Sequence, residues 1–531
     1  MVSFRTSLRR GFDRVERCLD LAFGTDWNPL AHLGSIGWFL FWVVVVTGVY
    51  LFIFFDTGVS AAYDSVRRLS TVHWWHAGLS RTLHRYASDL MVVVMFTHLI
   101  REFAMERYHG PRWFSWVTGV PIIWFVYLSG ITGYWLIWDK LAQYVAITTT
   151  ELVDTLGFLG QPIARNFLSP DMLSNRFFTL MVFLHIAIPL ILLMLMWIHT
   201  QRITEARTHP PKGLAFIIIV ALVTASLVIP APMQAAADLR TVPQSINIDW
   251  LLLGLYPLVE MVPSGVIWGG IAAFTLLLIG MPWIPANSGD RPAEVFLEHC
   301  NGCERCVQDC PYEAITLEPR SDGAHFRFEV AVNSRKCVAC GICMGACPSS
   351  SPFRRKGDLI TGIDLPDYSL AKLHDRIIEV SESPSAQVGS SRVLTLACSH
   401  GAGGQPAVAR VEVPCVAMVP PSMVDFIISR GLADGVCLVG CAARECHNRL
   451  GKKWTMLRLA QQRDPYLRAR IPRERVLTVW AGPTEENYLE SEIDAFAARL
   501  NEMPGYENVR QMVRKDIAKA SNFVSSERGK K

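Results

Sequence analysis

The chain has 531 residues, 51% of them hydrophobic, and a net charge of +4 with histidines neutral. Its positive mean hydropathy excludes an ordinary soluble protein, and its small net charge excludes a basic nucleic-acid-binding surface. Thirteen of the 14 cysteines follow residue 299. They form tight clusters, which indicate metal ligation rather than disulfides.

Six apolar stretches are long enough to cross a membrane as helices. They lie at 34–55, 83–101, 114–138, 177–199, 213–229 and 264–284. After an amphipathic segment at 1–33, they predict an all-α bundle of six transmembrane helices at 34–285. Lys and Arg are concentrated in the amino terminus and in the loops after the second and fourth stretches. The positive-inside rule then places both termini in the cytoplasm, and we expect a multi-pass protein of a bacterial inner membrane.

Two apolar stretches each carry a pair of histidines 14 positions apart, His84 with His98 and His185 with His199. Fourteen helical residues span about 21 Å in nearly four turns, so each helix presents both imidazoles on one face. Pairing the helices creates two sites stacked across the bilayer, each with one histidine from either helix. Paired neutral imidazoles suit the two axial positions of a haem iron. Polar residues satisfied within a helix bundle are the alternative, which the equal spacing disfavours.

Residues 10–285 resemble the cytochrome b of quinol-oxidising bc and bf complexes. The strings HRYASDLMVVVMFTHLIR and WVTGVPIIWFVYLSGITGYWLIWD are similar to the second and third helices of the bf type. Gly34 and Gly48, and likewise Gly119 and Gly133, repeat at the histidine spacing, where a flat macrocycle must approach the backbone. Glycines are also common packing devices in membrane helices. The resemblance implies two haems b and no third haem, because the cysteine that carries one in bf complexes is absent.

Charged residues flank the predicted haem ligands. Arg81, Arg85 and Arg101 are candidates to neutralise haem propionates, with snorkelling at a helix end as the alternative. Asp89 lies about one turn past His84, and an intramembrane carboxylate is a functional candidate. An ion pair with Arg85, four residues earlier, is the competing interpretation.

The resemblance departs from the family at its outer quinol site. In the family a Pro-Glu-Trp-Tyr motif lines this site, and its glutamate accepts a proton. Here the aligned sequence is IDWL, so that Asp249 shortens the carboxylate while proline and tyrosine are lost. We therefore expect an altered or idle outer site. His209 or Arg207 is the candidate to assist protonation at a quinone pocket on the cytoplasmic side.

A duplicated motif, Cys-x-x-Cys-x-x-Cys-x-x-x-Cys-Pro, follows the membrane region and predicts an α+β ferredoxin-like domain at 286–365. In this bacterial two-cluster pattern the fourth cysteine of each copy binds the other cluster. One [4Fe–4S] cluster is expected on Cys300, Cys303, Cys306 and Cys347. The second is expected on Cys310, Cys337, Cys340 and Cys343. Zinc ribbons do not require eight cysteines with Cys-Pro endings.

A linker at 366–391 is predicted to lead into a small α/β domain at 392–501, followed by a charged tail at 502–531. Four cysteines that follow β-like runs could hold a [2Fe–2S] cluster: Cys398, Cys415, Cys441 and Cys446. This stretch resembles the delta subunit of methyl-viologen-reducing hydrogenase, which implies such a cluster and docking to heterodisulfide-reductase-type flavoproteins. Gly401 replaces one family cysteine, so a docking domain without metal is the alternative.

The segments together predict one electron path between a cytoplasmic partner and the two haems. No nucleotide fingerprint is present, so the chain is expected to bind no NAD or flavin of its own. The leading hypothesis is a membrane subunit that exchanges electrons between the quinone pool and a cytoplasmic dehydrogenase of heterodisulfide-reductase or hydrogenase type. The alternatives are a bifurcating quinol oxidase, with an outer site near Asp249 and a Rieske-type partner, and a relaying anchor without catalysis. A homodimer is expected by analogy with related complexes.

Overall fold

The structure is a computed structural model with two compact units, Met1–Pro285 and Ala286–Lys531. It describes residues 2–24, 27–157, 168, 173–201, 206–243, 245–284, 291–353, 359–384, 387–388, 391–402, 409–442, 446–483 and 485–503. Most of the predicted tail at 502–531 therefore lies outside the described residues.

The regular structure in the described residues of the first unit is helical, apart from an isolated bridge between Asp139 and Ala236. Its helices are α1 (Val2–Phe23), α2 (Leu33–Phe52), α3 (Ala61–Thr71), α4 (Leu79–Ala104), α5 (Trp113–Ile137), α6 (Lys140–Asp154), α7 (Asn175–Thr200), α8 (Lys212–Val228), α9 (Trp250–Leu253), α10 (Tyr256–Met261) and α11 (Ser264–Gly280).

Four helical segments of the described residues are long and apolar enough to cross a membrane: Pro29–Phe52, Trp113–Ile137, Asn175–Thr200 and Ser264–Trp283. The predicted second span is the single helix α4, 26 residues long, which carries Arg85 and Asp89 within its length. The predicted fifth span is α8, which has only 17 residues. The count of six spans therefore stays a prediction, whereas the helical, membrane-type character of this unit is a property of the fold.

Two antiparallel helix pairs form the centre of the first unit. Helix α2 packs along α4, and α5 packs along α7. Small or slender side chains on α4, such as Ala87 and Val94, are buried in this core with Leu40 of α2. Helix α1 docks on α4 through a buried ion pair between Glu16 and Arg101, whose atoms are 2.8 Å apart.

The second unit mixes short helices and strands. Its helices are α12 (Arg305–Asp309), α13 (Ile342–Ala346), α14 (Leu370–Ser381), α15 (Pro421–Ser429), α16 (Gly451–Leu459) and α17 (Glu486–Glu502). Its strands are β1 (Glu294–Val295), β2 (Ile315–Pro319), β3 (Phe328–Val332), β4 (Ile363–Asp364), β5 (Gln387–Val388), β6 (Ser391–Cys398), β7 (Arg410–Val413), β8 (Gly435–Gly440) and β9 (Val476–Trp480).

The cysteine-rich part of this unit contains two matching loop-and-helix segments. Each short helix, α12 and α13, begins after a residue with left-handed backbone, Glu304 (φ 62°) or Gly341 (φ 73°). In each motif this residue directly follows the second cysteine, so the chain turns sharply and the third cysteine falls on the helix. Strands β2 and β3 pair antiparallel, as do β1 and β4.

The carboxy-terminal part is built around a sheet with helices on both faces. Strands β7, β6, β8 and β9 are parallel, and β5 is antiparallel to β6. Alternate residues of β6 point to opposite faces. Val393 lies in a cluster with Phe496 of α17, whereas Leu394 lies in a cluster with Ile427 of α15. A sheet buried on both faces is typical of α/β folds.

The segment predicted as a linker, 366–391, contains a helix of 12 residues. Helix α14 has Ser369 as its amino-terminal cap and buries one face, including Leu373 and Ile377. Its apolar residues recur at helical spacing between 370 and 380. The linker was predicted from the serine-rich run that adjoins them. Residues 370–381 therefore belong to the folded part of the second unit.

Candidate functional site

The histidines of the first unit are brought together in pairs across the helices. The ring centroids of His84 and His185 are 6.3 Å apart, with planes at 63°. His98 lies close enough to His199 to interact with it electrostatically. Both pairings are those expected from the 14-residue spacing.

The first pair matches the separation that a haem iron requires. A metal–nitrogen bond is about 2 Å long. The centroids of two imidazoles bound to opposite sides of one metal are therefore roughly 6 Å apart, once the distance from Nε2 to the ring centre is added on each side. The 6.3 Å between His84 and His185 therefore leaves room for one metal atom between the two rings.

Threonines orient three of the four imidazoles. Nδ1 of His84 lies 3.1 Å from the Thr47 hydroxyl, and Nδ1 of His185 lies 3.1 Å from that of Thr132. The Thr47 hydroxyl donates its own proton to the Val43 carbonyl at 2.7 Å, so its oxygen accepts from the imidazole. We infer that Nδ1 carries the proton and that Nε2 is left for the metal.

The third of these contacts joins His199 to Thr118, with Nδ1 and Oγ1 3.2 Å apart. Each of these threonines directly precedes one of the predicted glycines. This Thr-Gly dipeptide is a sequence signal that the glycine spacing alone does not reveal. His98 differs because Leu33 precedes its glycine, and its Nδ1 instead stands 4.0 Å from the Glu102 carboxylate.

The glycines make room for the imidazoles themselves. A Cβ atom on Gly48 would lie 3.0 Å from Cε1 of His84, and one on Gly133 would lie 3.0 Å from Cε1 of His185. A Cβ atom on Gly119 would lie 3.3 Å from Cε1 of His199. At Gly34, a Cβ would lie 4.0 Å from Cε1 of His98. The expectation of a macrocycle at these glycines is thus refined, because the imidazole ring is the nearest group.

The three arginines predicted to neutralise propionates are engaged by protein acceptors. Arg81 donates to the carbonyls of Ala231 and Pro232, both at 2.9 Å. Arg101 donates to Glu16 at 2.8 Å. Arg85 donates to two carboxylates, described below with Asp249. Apart from Asp89, four residues after Arg85 on the same helix, these acceptors lie on distant segments of the sequence, so the sequence showed the cations but not most of their partners.

Asp249 is held by a polar cluster of three other side chains. Arg85 donates to Asp249 at 2.6 Å and to Asp89 at 3.2 Å. The Tyr134 hydroxyl also donates to Asp249, and the Arg85 guanidinium lies 5.0 Å from the Tyr134 ring centroid. Asp249 additionally caps α9 through the Leu251 amide at 3.0 Å. The helix-face ion pair proposed for Asp89 is therefore formed, and it is shared with Asp249.

His209 is exposed, and its Nδ1 lies 2.9 Å from the hydroxyl of the adjacent Thr208. Arg207 is exposed as well. Among the described residues, neither is brought to a histidine pair.

The ferredoxin-like cysteines gather into two groups. The first cysteine set (Cys300, Cys303, Cys306 and Cys347) meets around Cys306, whose neighbours are the other three thiols. The second cysteine set (Cys310, Cys337, Cys340 and Cys343) lines a single cavity together with Tyr312 and Leu365. The two groups are those expected from the motif, with the fourth cysteine exchanged between the copies.

The thiols suit a metal cluster electrostatically. Burial, together with the neighbouring thiols, raises the pKa of Cys306 to about 12. Burial likewise raises the pKa of Cys340 to about 12. Thiolates in such places are stable only beside positive charge, which bound iron supplies.

Four buried or partly buried cysteines meet at the carboxyl ends of β6 and β8. This carboxy-terminal cysteine set consists of Cys398, Cys415, Cys441 and Cys446. The sulfurs of Cys398 and Cys441 are 3.6 Å apart. With a metal–sulfur bond of about 2.3 Å, two thiolates on one tetrahedral metal are roughly 3.8 Å apart.

No three His, Cys, Asp or Glu side chains in the described parts of the chain are grouped closely enough for a single metal ion. A structural zinc needs four such ligands, whereas each iron of a [2Fe–2S] centre needs two. The separation of Cys398 and Cys441 fits two thiolate ligands of one tetrahedral metal. Gly401, which replaces a family cysteine, lies against the Gly440 carbonyl, where a Cβ would approach to 2.7 Å.

Comparisons with known proteins match these three parts of the chain. Residues 21–207 match the family model described as Cytochrome b/b6/petB. Residues 299–351 match a 4Fe-4S dicluster domain, and residues 388–504 match the methyl-viologen-reducing hydrogenase delta subunit. The three resemblances inferred from the sequence are confirmed.

The chain is similar to cytochrome b of Dictyostelium discoideum, with 25% identity over 291 residues, covering 48% of this chain and 72% of that protein. Cytochrome b of Acanthamoeba castellanii is 24% identical over 293 residues, covering 49% and 74%. A chain of the solved structure titled "Hyperthermophilic respiratory Complex III" has 21% identity and a TM-score of 0.38, covering 48% of this chain and 76% of that one.

The fold and the matched families define a membrane electron-transfer protein with haem b and iron–sulfur domains. In particular, its three matched segments are similar in turn to cytochrome b/b6, to a 4Fe-4S dicluster domain and to the delta subunit of methyl-viologen-reducing hydrogenase.

Proposed function

We propose that the chain is the membrane subunit of a quinone oxidoreductase. It exchanges electrons between the quinone pool and a cytoplasmic dehydrogenase or heterodisulfide-reductase-like flavoprotein. The observation that carries this proposal is the fit of one metal atom between His84 and His185 in the same chain as three cysteine sets. Two haems b, two [4Fe–4S] clusters and one [2Fe–2S] cluster are the cofactors this arrangement would hold.

The overall reaction is balanced by two electrons and two protons for each quinone converted to quinol. The bound haems and clusters supply one-electron reduction and oxidation. Thr47, Thr118 and Thr132 contact Nδ1 of three imidazoles and so leave Nε2 of each ring as the atom that would hold a haem iron. The buried cysteines provide thiolate ligands away from water.

We place quinone exchange on the cytoplasmic side, beside the His98/His199 pair. A group of charged residues surrounds this pair's end of α4. The Glu102 carboxylate lies 4.0 Å from His98 Nδ1 and 3.5 Å from Arg107. Such groups would carry protons to a quinone that gains electrons, and His209, which is exposed on the loop before α8, would assist them from the solvent side. The orientation with both termini in the cytoplasm of a bacterial inner membrane, and the homodimer, belong to this proposal.

The bifurcating alternative requires Asp249 to accept a proton from a quinol at the outer site. Asp249 already accepts hydrogen bonds from Arg85, Tyr134 and Leu251. Both carboxylate oxygens are thus engaged by protein donors, and a quinol would have to displace one of them to bond to Asp249. This observation favours the leading proposal over bifurcation through a Rieske-type partner.

The proposal is tested by rapid mixing of anaerobic membranes with quinol while haem absorbance is followed. Inhibitors directed at the outer or the cytoplasmic quinone site are added separately, and D249N is compared with the wild type. We expect that only the cytoplasm-side inhibitor blocks haem reduction and that D249N is reduced at nearly the wild-type rate.

Haem reduction blocked only by the outer-site inhibitor, with a rate at least tenfold lower in D249N, would overturn this placement and support bifurcation. The matched control is D64N, because Asp64 forms an exposed ion pair with Arg67 on α3. Its reduction rate should equal that of the wild type in either case. If quinol does not reduce the haems even in the absence of inhibitor, the chain would instead be a membrane anchor that only relays electrons.

A further inference from the structure

The cysteine sets of the second unit are not equally near one another. Cys340 of the second cysteine set packs against the buried cluster formed by Ile342, Cys415, Ala417 and Trp454. Cys415 belongs to the carboxy-terminal cysteine set. The two sets therefore adjoin directly, through apolar contact within one folded unit.

Tyr312 occupies the junction between these two sets. It lines the cavity of the second cysteine set, and its hydroxyl donates to Asn448 at 3.0 Å. Asn448 lies two residues after Cys446. Cys340 and Cys415 both lie close enough to Tyr312 to interact with it electrostatically. An aromatic ring thus stands beside thiols of both sets.

Buried polar contacts lock the junction on its far side. Asp309, which precedes Cys310, forms an ion pair with Arg458 of α16, and each side chain is only 2% exposed. The Trp454 indole donates to the Asp309 carbonyl at 3.1 Å, and Arg449 donates to the Pro311 carbonyl at 2.8 Å. Because these bonds flank Cys310 on both sides, the separation of the two sets is fixed and does not depend on transient docking.

The first cysteine set also adjoins the second. Its buried member Cys306 interacts electrostatically with Cys343 of the second set. Its member Cys303 is exposed, unlike any cysteine of the second or the carboxy-terminal set. The first set therefore offers a surface at which a redox group outside this unit can approach.

We propose that the three sets form a linear wire in the order carboxy-terminal set, second set, first set, with Tyr312 at the first junction. This order rests on the proposed function, because it assumes that each set holds its iron–sulfur centre. Each step moves one electron from the iron of one set to the iron of the next, so one centre is oxidised as its neighbour is reduced. No bond is broken and no proton is transferred. The flavoprotein partner acts as donor or acceptor at one end, and a one-electron group outside the unit acts at the other.

The order is tested by electron paramagnetic resonance of the dithionite-reduced holoprotein, without quinone or partner. The signal of the carboxy-terminal [2Fe–2S] centre should be split by its nearest reduced neighbour. C337S, in the second set, should abolish the strong splitting. C303S, in the first set, should retain it. Iron content and each variant's remaining signals show which centres have assembled.

Splitting that is retained in C337S and lost in C303S would overturn the order. If C337S fails to assemble both cubane clusters, pulsed dipolar measurements on the wild type replace it. A linear order then requires two clearly unequal couplings to the carboxy-terminal centre, and equal couplings contradict it. Absence of the carboxy-terminal signal from iron-replete protein would refute this wire together with the third cluster. It would leave the haem and quinone tests of the proposed function standing on their own.

Discussion

Each threonine–glycine dipeptide makes two different contacts with the histidine that it faces. The glycine removes the atom that would meet the imidazole edge, and the threonine oxygen accepts the Nδ1 proton. At His84 both contacts are made by neighbouring residues, with Thr47 Oγ1 at 3.1 Å and a Gly48 Cβ expected at 3.0 Å. The ring position is therefore set by two adjacent residues of α2, and small changes there should release the ligand.

We expect G48V to lower the haem content of the protein by about half, because only the His84/His185 pair is disturbed. A Cβ at Gly48 would lie 3.0 Å from the imidazole. G37V on the same helix is the matched control, because nothing lies within 4 Å of a Cβ at Gly37. Haem extracted per protein is the measurement. Equal haem content in the two variants would refute the assigned role of Gly48.

His98 is the imidazole that no threonine–glycine pair holds, and its Nδ1 lies 4.0 Å from Glu102 instead. A negative charge near an iron ligand favours the oxidised iron. We expect E102Q to raise the midpoint potential of one haem, by on the order of tens of millivolts, and to leave the other unchanged. Redox titration of the haem spectrum measures this shift. E106Q is the control, since Glu106 pairs with Arg5 at 2.6 Å. Potentials that move together in E102Q would contradict the assignment.

Among the elements, α16 and α12 are joined by the ion pair between Arg458 and Asp309, whose side chains are each only 2% exposed. Burial lowers the pKa of the Arg458 guanidinium, and Asp309 opposes that effect. D309N should therefore leave a buried cation without its counter-charge and destabilise the unit by about 3–5 kcal/mol. Unfolding in urea, followed by loss of iron–sulfur absorbance, measures this cost. D464N, which breaks the more exposed Arg305–Asp464 pair, should cost roughly 1 kcal/mol or less, and equal losses would contradict the argument.

The amino-terminal end of α14 should make stability depend on pH. Burial raises the pKa of Asp364 from 3.8 to about 6, although the Leu370 and Leu365 amides oppose this. The folded state then binds more protons between these values, so the contribution of Asp364 is full below pH 3.8 and is lost as the pH rises to 6. D364N should exceed the wild type in stability at pH 7 by about 1–3 kcal/mol and lose this advantage near pH 4.

Thermal unfolding of the wild type and D364N, compared at each pH, measures this difference in stability. Any loss of clusters in acid affects both proteins and cancels in the comparison. D367N is the control of opposite sign. Hydrogen bonds from Arg291 lower the pKa of Asp367, so its contribution is lost as the pH falls rather than as it rises. A stability difference between wild type and D364N that does not change with pH would contradict the role of Asp364.

Over the whole molecule, the sequence predicted most fully what depends on periodic spacing. The histidine pairs and the cysteine motifs repeat at fixed intervals, so helix geometry and cluster ligation locate them without knowledge of the fold. Partners supplied by distant segments could not be predicted in this way. Glu16 for Arg101 and Asp249 for Arg85 are 85 and 164 positions away. Likewise α14 was predicted as a linker because local composition outweighed its amphipathic pattern.

The most direct test of the whole account is reoxidation of the fully reduced protein by a quinone in liposomes. Freeze-quenched samples would report the iron–sulfur signals while absorbance reports the haems, for wild type and H199A. We predict that quinone reoxidises the iron–sulfur centres of the wild type through the haems. In H199A, which should still give the dithionite-reduced iron–sulfur signals, this reoxidation should be slowed at least a hundredfold, or about 2.7 kcal/mol in barrier. Iron–sulfur reoxidation at the same rate in both proteins would contradict a single electron path through the chain.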